Sequence, residues 1–367
     1  MAHPEFLTEQ LITCIGNKRA LLDFIGGALD TVKADLGKEK LVIADLFSGS
    51  GVTARYFKGH AAGLHVNDLE PYAGLLSRCY LTNPEDFDPR ELDRYHVALT
   101  ARLESGPELP GFIAELYAPR QDDAVRPGER VFYTNRNARY LDTARQLLEQ
   151  VPEPYRTLLL GPLLASASVH TNTSGVFKGF YKDKHTGLGQ FGGTARNALS
   201  RILAPITLEK PVLSAASCPV TVYRQDANSL APTLPELDLA YLDPPYNQHP
   251  YGSNYFMLNL LTEYRRPEKI SPVSGIPASW NRSAYNKKAT AADALRQLCR
   301  DLPAKYLLIS FSDDGFISRE EMVDMLSPLG TVTVMEQTYN TFRGSRNLRA
   351  RETHIKEILY LVKKYPG

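Results

Sequence analysis

The chain has 367 residues, 43% of them hydrophobic and 23% charged, a balance that excludes wholesale disorder and predicts two domains or one large domain with an insertion. Its 42 basic and 41 acidic residues leave a net charge of +1, so it is not a uniformly basic nucleic-acid coat. Four scattered cysteines (Cys14, Cys79, Cys218, Cys299) without a C-x-x-C pair argue against a disulfide framework and structural zinc. The N-terminus lacks a basic start followed by an apolar run. The most apolar stretch, LLLGPLLASASV at 158–169, falls short of the roughly 20 residues that a membrane span needs. A reducing cytoplasm, with no membrane partner, is the compartment expected.

Residues 17–36 read as an amphipathic helix, with Leu21, Leu22, Ile25, Leu29 and Val32 recurring near helical spacing. Residues 41–46 form a short apolar run closed by Ser-Gly-Ser-Gly, the pattern of a buried parallel strand and its turn. A helix at 52–58 and a second strand at 63–68 follow, and Pro71 opens a further helix at its first position. This is βαβ grammar. From about 83 to 215 the pattern turns mostly helical, with a long polar loop at 171–194. Strands resume at 219–223, 237–242, 306–310, 331–335 and 358–362. The division expected is an α/β domain over 1–82 and 216–367, interrupted by an insertion over 83–215.

Two motifs carry chemistry. The first is Asp45-Leu-Phe-Ser-Gly-Ser-Gly51, which Ala54 extends to G-x-G-x-x-A. A glycine turn after a strand lets a ligand approach the backbone, and Asp68, at the end of the second strand, can accept both hydroxyls of a ribose. The pair points to a nucleoside cofactor, a dinucleotide or S-adenosylmethionine. The second is Tyr241-Leu-Asp-Pro-Pro-Tyr246, which closes an apolar strand. Two prolines fix the backbone and remove two N–H donors. The turn can then present the Asp243 carboxylate beside a peptide carbonyl, with Tyr246 as a flat face, a site that suits an aromatic amino group.

DLFSGSG followed by YLDPPY resembles the amino-group DNA methyltransferases, and the DPPY form resembles their N6-adenine members. The order of motifs is similar to the Dam-like (alpha) group, in which the target-recognition region lies between the two. Ile15-Gly-Asn-Lys-Arg19 resembles that group's opening motif, and Gln225-Asp226-Ala227 its cofactor-adenine segment. Residues 247–255 resemble the segment after DPPY, with His249-Pro250 where Arg-Gln is common. The resemblance implies a Rossmann-like methyltransferase fold: a mostly parallel seven-stranded sheet with helices on both faces, and a mainly helical target-recognition insertion. It implies S-adenosylmethionine as cofactor, held by Asn17, Lys18, Asp45, Phe47, Ser48, Gly49, Ser50, Gly51, Asp68, Asp226 and Ala227. In that reading Asp68 meets the ribose and Asp226 the adenine amino group. Asp45 orders the loop or meets the methionine ammonium, and Lys18 meets the methionine carboxylate or the target base.

Asp243, Pro244, Pro245 and Tyr246 would be the catalytic set. An adenine amino nitrogen is a poor nucleophile because its lone pair is delocalised. Accepting both its hydrogens, at Asp243 and the Pro244 carbonyl, favours attack on a sulfonium methyl. The target must be flipped out of the duplex. Basic stretches at 176–201 (net +4), 265–290 (net +5) and 338–364 (net +5) can meet phosphates, and 84–93 is acidic. In the loop, Phe177, Phe180, Tyr181 and Phe191 interleave with Lys178, Lys182 and Lys184, a pattern suited to probing a groove. Trp280, Arg282, Lys287 and Lys288 form a second candidate. His170, His185 and His354 share no ligand spacing, so no metal is expected. Duplex DNA is the partner expected, and the resemblance of residues 247–255 to a subgroup that includes type IIS restriction-system enzymes raises a cognate endonuclease as another. The alternatives are an N4-cytosine or RNA amino-methyltransferase on the same fold, a nicotinamide dehydrogenase that would leave DPPY idle, and a silent DNA-binding module, against which Asp243 and Tyr246 argue.

Overall fold

The computed structural model describes residues 4–313, 315–340 and 354–366; Arg343, Arg346, Arg349 and Arg351 of the third basic stretch lie outside them. Seven strands form one sheet: β1 Leu41–Asp45, β2 Ala61–Asn67, β3 Val220–Tyr223, β4 Leu237–Leu242, β5 Ala304–Ser312, β6 Gly330–Asn340 and β7 His354–Lys364. Their spatial order is β3-β2-β1-β4-β5-β7-β6. The first five run parallel. β7 is antiparallel to both its neighbours, so that Val362 pairs with Leu307 on one side and Val332 on the other. Every residue of β4 is buried, as a strand covered on both faces requires. The sheet order reverses between β1 and β4, and the loops leaving their carboxyl ends diverge there to leave a crevice.

The helix expected at 17–36 starts differently. Gly16 takes a positive φ of 76°, and Lys18–Leu21 follows as a 3-10 turn capped by Asn17, whose side chain accepts the Arg19 amide at 2.8 Å. The α-helix proper is Leu22–Leu36. The tight turn buries Lys18 to 3% exposure instead of leaving it on a helix surface.

No strand of the sheet falls within 83–215 among the described residues. That segment contributes helices Pro89–Ser105, Phe112–Tyr117, Asn135–Leu148, Tyr155–Val169 and Leu199–Leu203. Tyr155–Val169, the most apolar stretch of the sequence, is buried nearly all round despite Pro162 inside it. Gly161 lets Cys79 of helix Pro71–Tyr80 approach closely, since a Cβ there would stand 2.4 Å from its Sγ. The segment 83–215 thereby shares one hydrophobic core with Pro71–Tyr80 and Phe256–Glu263.

The aromatic residues of the polar loop correct the expectation of a groove probe. Phe177 is 1% exposed, with its ring 6.1 Å from Phe132 and 6.3 Å from Phe256, and Phe180 meets Phe132 edge-on at 5.2 Å. Burying rings of this size stabilises by roughly 1.5–3 kcal/mol each, so they anchor the loop to the core. Lys178, Lys182 and Lys184 remain exposed on it.

Candidate active site

The crevice at the carboxyl ends of β1 and β4 is a cleft of ≈ 900 Å³, open to solvent on one side. Its floor is the turn after β1. Gly49 and Gly51 adopt positive φ of 50° and 79°, and the Gly51 amide donates to Ser48 O at 2.7 Å, which closes the turn. Ser48 and Ser50 line the cleft, and the Ser48 hydroxyl also reaches Ser77 at 3.3 Å. Asn67, buried at the end of β2, fastens neighbouring loops: its Nδ2 donates to Leu46 O and Gln225 O, and its Oδ1 accepts the Gln225 amide.

The cleft brings together residues far apart in the chain. Asn17, Lys18, Phe47, Ser48, Gly49, Ser50, Asp68, Asp226, Ala227, Asp243 and Pro245 all line it. Gly51 and Asp45 stand at its edge, on the same turn and strand; Pro244 is buried and Tyr246 packs outside, edge-on to Phe311 at 5.8 Å. Ala227 presents only a methyl group to the cleft, opposite an aromatic wall where Phe47 meets Tyr285 at 5.1 Å. The Asp226 Oδ1 caps the short helix Ala227–Leu230, accepting the amides of Asn228 and Ser229 at 3.1 Å. The five basic candidates Lys178, Lys182, Lys184, Arg282 and Lys287 are exposed and stand outside the cleft. Lys178 Nζ lies 3.4 Å from His249 Nδ1, which ties the polar loop to the segment after DPPY. Arg282 covers Trp280 at 4.4 Å.

The electrostatics are dominated by carboxylates. Among the described residues, Lys18 is the only basic residue lining the cleft. Its Nζ stands 3.0 Å from Asp243 Oδ1 and 3.3 Å from Glu357 Oε1. Burial pulls the ammonium down, but these two carboxylates outweigh it and hold the pKa well above the ordinary lysine value. Burial also pushes Asp243 up to about 6; Lys18 opposes the rise and Glu357 adds to it. Asp45 is fully buried, and neither oxygen completes a hydrogen bond among the described residues. Burial and the charges of Asp243 and Asp68 push it well up, against the Phe47 backbone amide. Asp68 accepts Gly49 N at 2.8 Å and Glu70 N at 2.9 Å, and burial raises its pKa.

Sequence reading missed several cleft residues. Glu70 is 4% exposed, accepts from Asn259 Nδ2 at 2.6 Å and Asn281 Nδ2 at 3.3 Å, and is pushed by burial up to about 7. Gly252 admits this contact, because a Cβ there would stand 2.9 Å from Glu70 Oε1 and from Asn281 O. Tyr285 donates to Asn228 Oδ1 at 2.7 Å and closes the far wall. No spacing in the sequence marks these positions. Among the described residues no group of three or more His, Cys, Asp or Glu side chains could hold a metal ion, and no helix is long and apolar enough to cross a membrane.

A family model described as D12 class N6 adenine-specific DNA methyltransferase matches residues 15–325, which span both motifs and the cleft between them. The chain belongs to that family. Type II methyltransferase M.NlaIII of Neisseria lactamica is 27% identical over 362 residues, covering 95% of this chain and 98% of the relative. Type II methyltransferase M.CviAII of Paramecium bursaria Chlorella virus 1 is 26% identical over 364 residues, covering 95% and 97%. Type II methyltransferase M.FokI of Planomicrobium okeanokoites is 25% identical over 367 residues, but there the match spans 52% of the relative. This D12-class enzyme is therefore an N6-adenine-specific DNA methyltransferase, and its methyl donor is S-adenosylmethionine. The cleft fits that donor. A sulfonium and an ammonium are cations, and the cleft offers them Asp68, Glu70 and Asp243, with the unpartnered Asp45 beside the glycine turn and one lysine as counter-charge.

Proposed function

We propose that the chain methylates N6 of an adenine flipped out of double-stranded DNA at a defined sequence, as the modification partner of a cognate restriction endonuclease, acting on the nucleoid in the cytoplasm. The observation that carries the reading is Asp243. It stands on the cleft wall just after β4, with Oδ1 held by Lys18. Bound S-adenosylmethionine would supply the electrophilic methyl group. Asp243 and the Pro244 carbonyl accept the two hydrogens of the amino group, and Pro245 keeps the turn rigid. Tyr246 provides a stacking face worth about 1–3 kcal/mol toward the cost of flipping.

Asp68 would hold the ribose and Asp226 the cofactor adenine, at the end of the cleft that Ala227 and Phe47 line. Gly49, Gly51, Ser48, Ser50, Asn17 and Asp45 shape the methionine end. Lys18 serves the target side, because its ammonium is already committed to Asp243. The insertion over 83–215 reads the target sequence. Lys178, Lys182, Lys184, Arg282 and Lys287 meet phosphates. The Type II relatives, matched over almost their whole length, support the restriction–modification setting.

Modification-sensitive sequencing of DNA from cells expressing the protein tests the reading. N6-methyladenine at one recurring sequence, lost with Asp243→Ala while S-adenosylmethionine affinity stays within about tenfold, is the expected result. Adenine unmodified throughout, or methylation surviving in the variant, overturns it.

A further inference from the structure

Glu357 lies on β7 and is 1% exposed. Ser310 of β5 donates its hydroxyl to Oε1, and Lys18 Nζ stands 3.3 Å from the same oxygen. One buried ammonium thus bridges two carboxylates, the half-buried Asp243 after β4 and the buried Glu357 on β7. Nothing in the roles assigned so far requires the second carboxylate.

Proton balance supplies a reason. As N6 bonds to the methyl carbon, the pair of the breaking carbon–sulfur bond leaves on sulfur and N6 must lose one proton. Oδ2 of Asp243 takes it: the N6–H bond breaks, an O–H bond forms, and the proton later passes to solvent. A lysine beside an aspartate favours the aspartate's charged form and opposes this uptake. It would also lose its only counter-charge once the aspartate became neutral, and an unpaired buried ion is costly. A second carboxylate removes both difficulties. The three groups carry one net negative charge before the proton arrives and none after, and the ammonium is paired in both states.

We propose that Glu357 is a positioning residue for methyl transfer: by sharing the Lys18 ammonium it keeps Asp243 basic enough to take the amino proton, and it holds that ammonium paired afterwards. The proposal rests on Asp243 as the acceptor of the amino hydrogens, as argued above. Among the described residues, the other titratable groups coupled electrostatically to Asp243 include three that stay neutral and one carboxylate, Asp45, that burial pushes up as well. The Tyr241 and Tyr251 hydroxyls and the Cys14 thiol are pushed up by burial and stay neutral, and Asp45 is the remaining carboxylate.

The test is a carbon-13 NMR titration of protein labelled at aspartate carboxyls, without DNA or cofactor, with Asp243→Asn to assign the signal. Single-turnover methylation is measured alongside. Glu357→Gln removes the charge at constant shape. Its expected effect is a fall of about one pH unit in the Asp243 midpoint, and about a tenfold lower methyl-transfer rate at pH 7 with substrate affinities unchanged. Glu357→Asp keeps the charge and most of both properties. Ser310→Ala, which removes the hydroxyl donated to Glu357, moves both in the same direction by less. An Asp243 midpoint and pH–rate profile unmoved in Glu357→Gln overturn the proposal; if that variant does not fold, an unmoved midpoint in Ser310→Ala does so. Because the titration needs no substrate, it is independent of the functional reading, which fails separately if the wild-type protein methylates no adenine.

Discussion

The Asp68 carboxylate accepts the amide of Gly49 at 2.8 Å, and so the acid at the end of β2 also ties down the glycine turn after β1. Its other oxygen accepts the Glu70 amide at 2.9 Å. A group with both structural and ligand-facing duties separates its substitutions. On the proposed reading, Asp68→Ala loses the ribose acceptor and releases the turn, so the dissociation constant for S-adenosylmethionine rises by more than about tenfold. Asp68→Asn keeps an oxygen for Gly49 and loses less. Calorimetric titration checks the order, and an Asp68→Ala protein that binds the cofactor normally removes Asp68 from the ribose site.

Lys18 has two carboxylates within 3.3 Å and almost no contact with water. Lys18→Met therefore leaves Asp243 and Glu357 facing each other without the ammonium between them. Removing one partner of a buried ion pair costs about 3–5 kcal/mol. The loss is larger at pH 7.5 than at pH 5.5. Without the lysine the folded-state pKa of Asp243 climbs above its present value of about 6, so at low pH the carboxyl is protonated and the repulsion vanishes. Urea unfolding at the two pH values measures this, and equal losses at both would show that charge is not the cause.

The contrast between Lys18 and the motifs marks what a sequence can disclose. β1 and β4 announce themselves because strands buried on both faces are mostly apolar runs, interrupted in β4 by Asp238 alone, and DLFSGSG and LDPPY sit at their ends. The glycine turn was legible for the same reason, since only positive φ explains two glycines there. Glu357 was not legible: it stands between Lys356, which is exposed, and Ile358, and its burial depends on β7 lying between β5 and β6. Glu70 is hidden similarly, because Asn259 and Asn281 reach it from remote segments. Phe177 and Phe180 misled in the other direction. Aromatics among lysines suggest a nucleic-acid face, but the helices beneath the loop offered them a core.

Glu70 gives the stability curve a second pH-dependent feature. Burial raises its pKa from 4.5 to about 7, so the fold favours the protonated carboxyl. Its contribution is fully present below pH 4.5 and is lost as pH rises through 7. By pH 8 the loss is on the order of 3 kcal/mol. Glu70→Gln imitates the protonated form and keeps an oxygen for Asn259. The variant is expected to raise the melting temperature relative to wild type at pH 8 and to change it little at pH 5. A gain confined to pH 5 would contradict a carboxyl destabilised by charging.

The position of the DNA face is tested by charge. Lys182 and Lys184 are exposed on the loop that Phe177 and Phe180 anchor, whereas Glu85 and Asp86 lie beside Cys218 and Ser217, beyond the start of β3. Reversal to glutamate at the two lysines should weaken duplex binding and flatten its dependence on salt, since the slope falls by about 0.9 for each phosphate no longer neutralised. Reversal to lysine at Glu85 and Asp86 should leave the slope alone. Fluorescence anisotropy from 50 to 200 mM salt, the range over which phosphate contacts weaken by orders of magnitude, compares the two. Equal effects would place the duplex on another surface.

The last prediction concerns how the adenine reaches Asp243. The carboxylate stands on the wall of a cleft lined by Asn17, Phe47 and Tyr251, and no stacked base could enter it without leaving the duplex. Flipping costs a few kcal/mol, and a mispaired base gives up less pairing energy than a paired one. Where flipping limits the rate, a target adenine opposite a mismatched base is methylated at least as fast as a paired adenine. Where chemistry at Asp243 limits it, the two rates converge, and the advantage of the mismatch appears in affinity. Single-turnover assays with a tritiated methyl donor on matched and mismatched duplexes, repeated with Glu357→Gln to slow the chemical step, separate these regimes. In both, the mismatched duplex is bound at least as tightly as the matched one. Clearly weaker binding of the mismatched duplex, with an equally slow rate, would mean that the enzyme reads the target pair while it is still stacked, and extrusion into the cleft would no longer be the first step.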